Sequence, residues 1–442
     1  MSRYHTRKTP VSPKSARADS LSNRPLTRLS AYGIIPATSQ TPYDNDTDNP
    51  LLGGKIMQKF HLVSLLLVVT LLLAACGAPA AQPTAAPAAG ALSGQIAIGA
   101  VWSLTGAAAI YGPSQKQAAE MAVEEINKTG YLGQATIKLI TEDDRSTKEG
   151  AIAAFEKLIN QDKVLAIFGP TLSNSAKAAD PMAQEKKVVV LATSNTAAGI
   201  VEIGDFVFRD SLPEASVIPN TIKATKAKLG YKKVAILYGD DDAFTKSGYD
   251  AFKAALDAEG VEILATETFK KGDTDFSAQL TKIKGLNPEA IVVSALAEEA
   301  AGIMSQGRQL GIPDSVRFIG GNGFNSPKLA QLAGKAAEGA ISGAAWFINS
   351  TAPGNQDFVK AYNAKYGANP DQFAAQAYAA VYIMASAIKH AGKADGQAIR
   401  DALAQIKDMD TVLGKFSFDA NRDPQHTPVV QMVKDGQFAL FE

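Results

Sequence analysis

The stretch Lys233-Val234-Ala235-Ile236-Leu237-Tyr238, followed by Gly239-Asp240-Asp241-Asp242-Ala243-Phe244, decides the fold. A short, mostly apolar run that ends in turn-forming residues reads as a buried strand. Thr245–Glu259 then reads as a helix, Val261–Glu267 as a strand and Phe276–Ile283 as a helix. Ala290–Ala295, Glu298–Leu310 and Val316–Ile319 continue as strand, helix, strand. Such alternation implies a parallel sheet covered by helices on both faces.

The same plan runs upstream. Gln95–Val101, Thr136–Thr141, Val164–Phe168 and Val188–Ala192 are strand-like. Between them lie helical stretches at Ser114–Asn127, Thr147–Asn160 and Asn174–Lys186. Ala119, Val123 and Ile126 share one helical face, as do Ile152, Phe155 and Ile159. Two such runs imply two doubly wound lobes. Downstream, Gly339–Phe347 is strand-like, Asn355–Tyr366 and Asp371–His390 are helical, and Pro428–Val433 with Gln437–Phe441 suggests a hairpin around Asp435-Gly436. These elements are too few for a third lobe. They are expected to return to the two already built, so the chain crosses between lobes more than once. The fold class is α/β, with two doubly wound parallel-sheet lobes.

Composition narrows the function. The 442 residues are 46% hydrophobic and carry 44 basic and 44 acidic groups, so the formal net charge is zero. Nine basic and four acidic residues fall in 1–93, which leaves 35 basic and 40 acidic groups in 94–442, a net of −5. No broad basic field points to nucleic acid. One cysteine excludes an intramolecular disulfide framework and a cysteine-based zinc site.

The front of the chain reads as an address. Residues 1–56 are polar, aperiodic and rich in Ser, Thr, Pro and Asn, the signature of a disordered segment. Met57 then opens a secretory pattern: Lys55 and Lys59, an apolar run from Leu62 to Leu73, and Ala74-Ala75-Cys76. Met57 is the expected initiator, and 1–56 a mis-assigned start. The apolar run is shorter than the roughly 20 residues of a spanning helix. Leu73-Ala74-Ala75-Cys76 resembles the lipobox of bacterial lipoproteins, whose cysteine is acylated. Residues 57–75 are then a signal peptide and 76–93 an Ala/Pro-rich tether.

Ligands of open α/β sheets bind beyond the carboxyl ends of strands. Those ends carry Tyr111, the cluster Thr171-Leu172-Ser173-Asn174-Ser175, and Thr193-Ser194-Asn195-Thr196. Hydroxyls beside a helix N-terminus suit a carboxylate; the plainer reading of Ser173 is an N-cap. Asp240-Asp241-Asp242 lacks the spacing of a calcium loop and is expected to cap the next helix. Glu298 and Glu299 favour a helix start, and one of them could also face a cleft. Gly320-Gly321-Asn322-Gly323-Phe324 is not a phosphate loop. His390 and His426 are the only histidines beyond the front segment, and no Gly-x-Ser-x-Gly elbow occurs there, so no enzyme is expected.

Together these motifs resemble a known family. Trp102-Ser103-Leu104-Thr105-Gly106 with Tyr111-Gly112, Glu142-Asp143-Asp144, Phe168-Gly169-Pro170 with Ser173, Val207-Phe208-Arg209, and Gly248 after the three aspartates fall in order. They look like the type I solute-binding proteins of ABC importers, in particular the branched-chain amino acid-binding group. The resemblance covers 94–442. It implies lobes of 94–213 plus 345–417 and 214–344 plus 418–442, joined by three hinge crossings. It implies an extracytoplasmic lipoprotein, anchored to the membrane by Cys76, that delivers an apolar amino acid to permease subunits. A sensing module for a signalling partner is the alternative. No cofactor and no metal are implied. Carried over by motif, Ser173, Ser194 and Thr196 hold the ligand's carboxylate and amine, Tyr111 and Phe244 flank it, and Phe373 caps its side chain. Phe244 stands where the family usually has Tyr. Asn322 stands where the amino-acid binders commonly have an acid that pairs with the ligand ammonium. Either Glu298 substitutes, or the ligand is an amide, a urea-like molecule or an amine-free carboxylate.

Overall fold

The computed structural model describes residues 92–442. The expectations for the leader, the signal run, Cys76 and all but the end of the tether lie outside these residues.

The first sheet holds β1 (Ser93–Trp102), β2 (Gln134–Asp143), β3 (Ala166–Phe168), β4 (Val189–Ala192) and β5 (Val207–Arg209). All are parallel, in the order β2-β1-β3-β4-β5. The connecting helices are α1 (Gly112–Thr129), α2 (Lys148–Asn160) and α3 (Ser173–Lys186). Alternation along β1 sorts its side chains: Ile96, Ile98, Ala100 and Trp102 join the core under α1, and Val101 joins the one under α2 and α3.

The chain then enters a second sheet through α4 (Glu214–Leu229). Here β6 (Lys233–Gly239), β7 (Glu262–Phe269), β8 (Ala290–Ser294), β9 (Arg317–Gly320) and β10 (Ile341–Ala344) are parallel. They alternate with α5 (Ala243–Ala258), α6 (Ser277–Gly285), α7 (Ala297–Gln309) and α8 (Pro327–Ala333). Val234, Ile236, Val292 and Ile319 pack with Ile218 and Ile222 of α4 and Phe252 and Leu256 of α5. Leu237, Ile291, Val293 and Phe318 face the opposite core with α6, α7 and α8.

The chain now returns to the first lobe as α9 (Asn355–Tyr366), α10 (Gln372–Ala391) and α11 (Gly396–Leu403). Small residues along α10, among them Ala374, Ala377, Ala380 and Ala387, let it sit in the same core as α1. A small antiparallel sheet follows, of β11 (Met409–Thr411), β12 (Gly414–Phe418) and β13 (Pro424–Gln425). The chain crosses once more. β14 (Val429–Lys434) and β15 (Gln437–Leu440) form the hairpin and add antiparallel to β10, which completes the order β15-β14-β10-β9-β8-β6-β7. The connection between the lobes is therefore made three times. Arg209 on β5, itself buried, forms an ion pair with the half-buried Asp423 beside β13, and Arg422 donates to Val201 O at 2.8 Å. These bonds fasten the third crossing to the first sheet.

Several elements were not foreseen: β5 as a strand, α4, α8, α11 and the small sheet. Three-residue strands such as β5 give no measurable period. Pro219 inside α4 lacks an amide N–H and reads as a break.

Candidate functional site

Both sheets present their strand carboxyl ends to one another. In the first sheet β1 has β2 on one side and β3 on the other; in the second β6 has β7 and β8. Each is the switch point at which open sheets bind ligands. Loops beyond the strand ends of both sheets, with the start of α10, border a cavity of about 30 Å³. It is lined by Tyr111, Ser173, Ser194, Phe244, Asn322 and Phe373, together with Thr171, Leu172, Leu296 and Gly323. Six of the eight expected ligand residues thus meet, drawn from both lobes.

The two others lie elsewhere. Thr196 is buried behind the wall and donates to Glu214 Oε1 at 3.0 Å. Glu298 is exposed and lines a separate groove of about 910 Å³, on which Trp346, Tyr362 and Asp371 also open. That groove is larger, but the strand-end loops of both sheets converge on the small cavity.

The first lobe supplies hydroxyls and a helix end. Ser173 is the first residue of α3, and the N-cap position belongs to Leu172, which offers no side-chain cap. The plain capping role for Ser173 is therefore not what the structure shows. Its Oγ instead accepts from Ala197 N at 3.3 Å, which leaves its own proton free for a ligand oxygen. Ser194 Oγ donates to Thr171 O at 2.8 Å and accepts from Gln115 Nε2 at 2.9 Å. Gln115 is fully buried, and it also binds Thr193 Oγ1 and accepts from Thr171 Oγ1 at 2.8 Å. This glutamine fixes two of the wall's loops to each other.

Aromatic side chains form the rest of the wall. Tyr111 and Phe373 lie 4.6 Å apart, ring to ring, tilted by 55°. The Tyr111 hydroxyl crosses the cleft: it donates to Gly323 O at 3.0 Å and accepts from Ala297 N at 2.7 Å. Burial pushes its pKa up, so it stays neutral. Gly323 lets its loop pack against Ala295 O and the Phe244 ring, since a Cβ there would sit 2.2 Å from that oxygen. Asp242 caps α5, as expected, by accepting from Phe244 N and Thr245 N. Its other oxygen accepts from Asn174 Nδ2 at 2.8 Å, while Asn174 Oδ1 accepts from Ala243 N at 3.0 Å.

Asn322 is held rather than free. Its Nδ2 donates to Glu214 Oε1 at 2.9 Å and to Leu212 O at 3.2 Å, and its Oδ1 accepts from Gln372 Nε2 at 3.1 Å. Glu214 is buried, 1% exposed, and burial pushes its pKa up to about 7 against the pull of Asn322 and Thr196. Its Oε2 has no hydrogen-bond partner. Neither Glu214 nor Gln115 was singled out in the sequence. Glu214 follows β5 closely, and a strand reading of Val207–Arg209 would have placed it at a carboxyl end. Among the described residues no cluster of three or more His, Cys, Asp or Glu side chains could hold a metal ion.

Two doubly wound lobes, three crossings and a small cavity built from both define a two-lobed binding protein of the α/β class. A family model described as "Periplasmic binding protein" matches residues 95–437, and the chain belongs to that family. The family is one of solute-binding receptors, and its name implies an extracytoplasmic location. Among curated relatives, the Leu/Ile/Val-binding protein BraC3 of Rhizobium johnstonii is 30% identical over 334 residues, which is 74% of this chain and 88% of that protein. Among solved structures, the branched-chain amino acid transporter substrate-binding protein LivJ of Streptococcus pneumoniae, in complex with isoleucine, is 31% identical with a TM-score of 0.74, covering 78% of this chain and 98% of its own. A solute-binding protein of an ABC transporter from Rhodopseudomonas palustris, in complex with 3,4-dihydroxybenzoic acid, is 26% identical with a TM-score of 0.71, covering 78% and 95%.

Proposed function

We propose that this chain is the receptor of an ABC importer and captures a branched-chain or other apolar amino acid between lobes of 94–213 plus 345–417 and 214–344 plus 418–442. The observation that carries the reading is the meeting of Tyr111, Ser173, Ser194, Phe244, Asn322 and Phe373, from both lobes, on one cavity. Ser173 and the uncapped start of α3 offer donors to a carboxylate. Phe244 and Phe373 offer apolar surface to a side chain. Binding then works by population shift, because a ligand touching both lobes favours their closed arrangement. Cys76 anchors the protein to the membrane through lipid, the tether keeps the lobes off its surface, and permease subunits take the ligand. The groups assembled here bind and orient a ligand.

A second reading rests on Asn322. Without an acid at that place, the ligand is an amine-free carboxylate, and the relative that holds 3,4-dihydroxybenzoic acid supports it. Calorimetric titration of the protein, stripped of carried-over ligand, against leucine, isoleucine, valine and aromatic acids separates the two. Micromolar or tighter binding of an apolar amino acid is expected. Binding of aromatic acids alone would replace it with the second reading.

A further inference from the structure

The missing acid has a buried counterpart one layer behind Asn322. We propose that Glu214 supplies the counter-charge for a ligand ammonium, acting through the Asn322 amide, so that the cavity is built for α-amino acids rather than amine-free acids. The inference rests on the reading of the chain as a small-ligand receptor.

The Asn322 amide is held in one orientation. Both neighbours of its amide nitrogen, Leu212 O and Glu214 Oε1, are acceptors, so the nitrogen must face them. Its Oδ1 is therefore turned the other way. That oxygen accepts one bond, from Gln372, and has capacity for a second. Asn322 lines the cavity and so offers a ligand an acceptor, not a donor. Thr196 likewise directs its hydroxyl proton to Glu214, and Asn322 N donates to the same Oε1 at 3.3 Å. Three donors converge on one carboxylate oxygen, which polarises the amide toward the cavity. Ser173, across the same cavity, offers a donor. The two ends suit the two charges of a zwitterion.

Glu214 Oε2 is buried without a partner, close to the backbone of Gly321, where a Cβ would sit 2.4 Å away. An ionised carboxylate so placed is unfavourable unless a cation answers it. Of the groups around it, Thr196, Gly248, Gly321 and Asn322 are uncharged. Arg209 is the charged one, and it is already paired with Asp423. A ligand ammonium beside Asn322 would provide the remaining compensation. Because burial leaves Glu214 about half protonated near pH 7, binding a cation there expels a proton.

The test uses the full chain and two ligands, leucine and its amine-free analogue 4-methylpentanoate, titrated calorimetrically at pH 8 and pH 6. The wild type is expected to prefer leucine, more strongly at pH 8, and to release a proton on binding at pH 7 when buffers of different ionisation enthalpy are compared. Glu214→Gln should weaken leucine by about thirty-fold or more, leave 4-methylpentanoate unchanged or tighter, and abolish both the pH dependence and the proton release. A folded Glu214→Gln protein that binds leucine as the wild type does, or that loses both ligands equally, overturns the proposal. So does leucine binding by the wild type without proton release, a measurement that needs no variant. A wild type that binds 4-methylpentanoate better than leucine overturns this inference alone. One that binds no amino acid and no acid overturns the receptor reading as well.

Discussion

At the scale of single residues, the site is governed by which side chains hold free donors and which hold free acceptors. Ser173 keeps a donor, Asn322 keeps an acceptor, and Ser194 and Thr196 have committed their protons to Thr171 O and Glu214. Burial of Glu214 also bears on stability. Its folded pKa of about 7 lies above the ordinary 4.5, so the folded form retains a proton that the unfolded chain loses. That contribution is complete below pH 4.5 and is lost as pH rises through 7. Glu214→Gln should therefore match the wild type in thermal unfolding at pH 5 without ligand. At pH 8 it should be the more stable, by at most about 3 kcal/mol. An equal difference at both pH values would mean that Glu214 is not neutral when folded near pH 5. The residue types of this site were legible in the sequence because strand carboxyl ends point to ligands. Tyr111, Ser173, Ser194, Phe244, Asn322 and Phe373 were all found that way or by resemblance. Glu298 was drawn in by the same rule, yet it opens on the neighbouring groove, since helix α7 turns it away from the strand ends. Glu214 escaped because the three-residue β5 before it gives no period, so no strand end was read there.

At the scale of elements, closure is a matter of helix ends. The start of α3 in one lobe meets the start of α5 in the other. Asn174 bridges them by donating to the capping Asp242 and accepting from Ala243 N. Nearby, Ala198 N donates to Ser247 Oγ at 3.1 Å. Asn174→Ala removes two bonds made only when the lobes touch, one of them to a carboxylate, and adds nothing to the open form. Ligand affinity should fall by roughly tenfold while unfolding of the ligand-free protein hardly changes. Unchanged affinity would show that this bridge does not contribute to closure. The strands and helices with clear apolar periods were legible: β6, α5, α9 and the β14–β15 hairpin fall within a residue or two of their expected bounds. The small sheet of β11 to β13 was not, because its strands are two to five residues long and their pairing is set by the lobe they pack against.

At the scale of the whole molecule, the three crossings separate the chain's connectivity from its cores. Each sheet keeps a main core of its own, Tyr111, Leu172 and Phe373 of the first lobe join the apolar cluster of the second beside the cavity, and polar bonds cross the cleft from Tyr111, Asn174, Ala198, Asn322 and Lys271, whose Nζ reaches Ser146 O at 3.4 Å. Polar bonds across a hinge are readily exchanged for water, so a ligand that adds contacts to both lobes can decide the balance. The need for several crossings was legible by counting the elements left over after two lobes. Their anchorage, the Arg209–Asp423 pair, was not, since its partners lie far apart in sequence. The central claim is that a small ligand closes these lobes on one shared cavity. Small-angle X-ray scattering of the protein with and without saturating leucine tests it most directly. The expected result is a smaller radius of gyration with leucine, and reversal of that change when leucine is removed by dialysis. Leucine bound at saturation with no change in radius would contradict it.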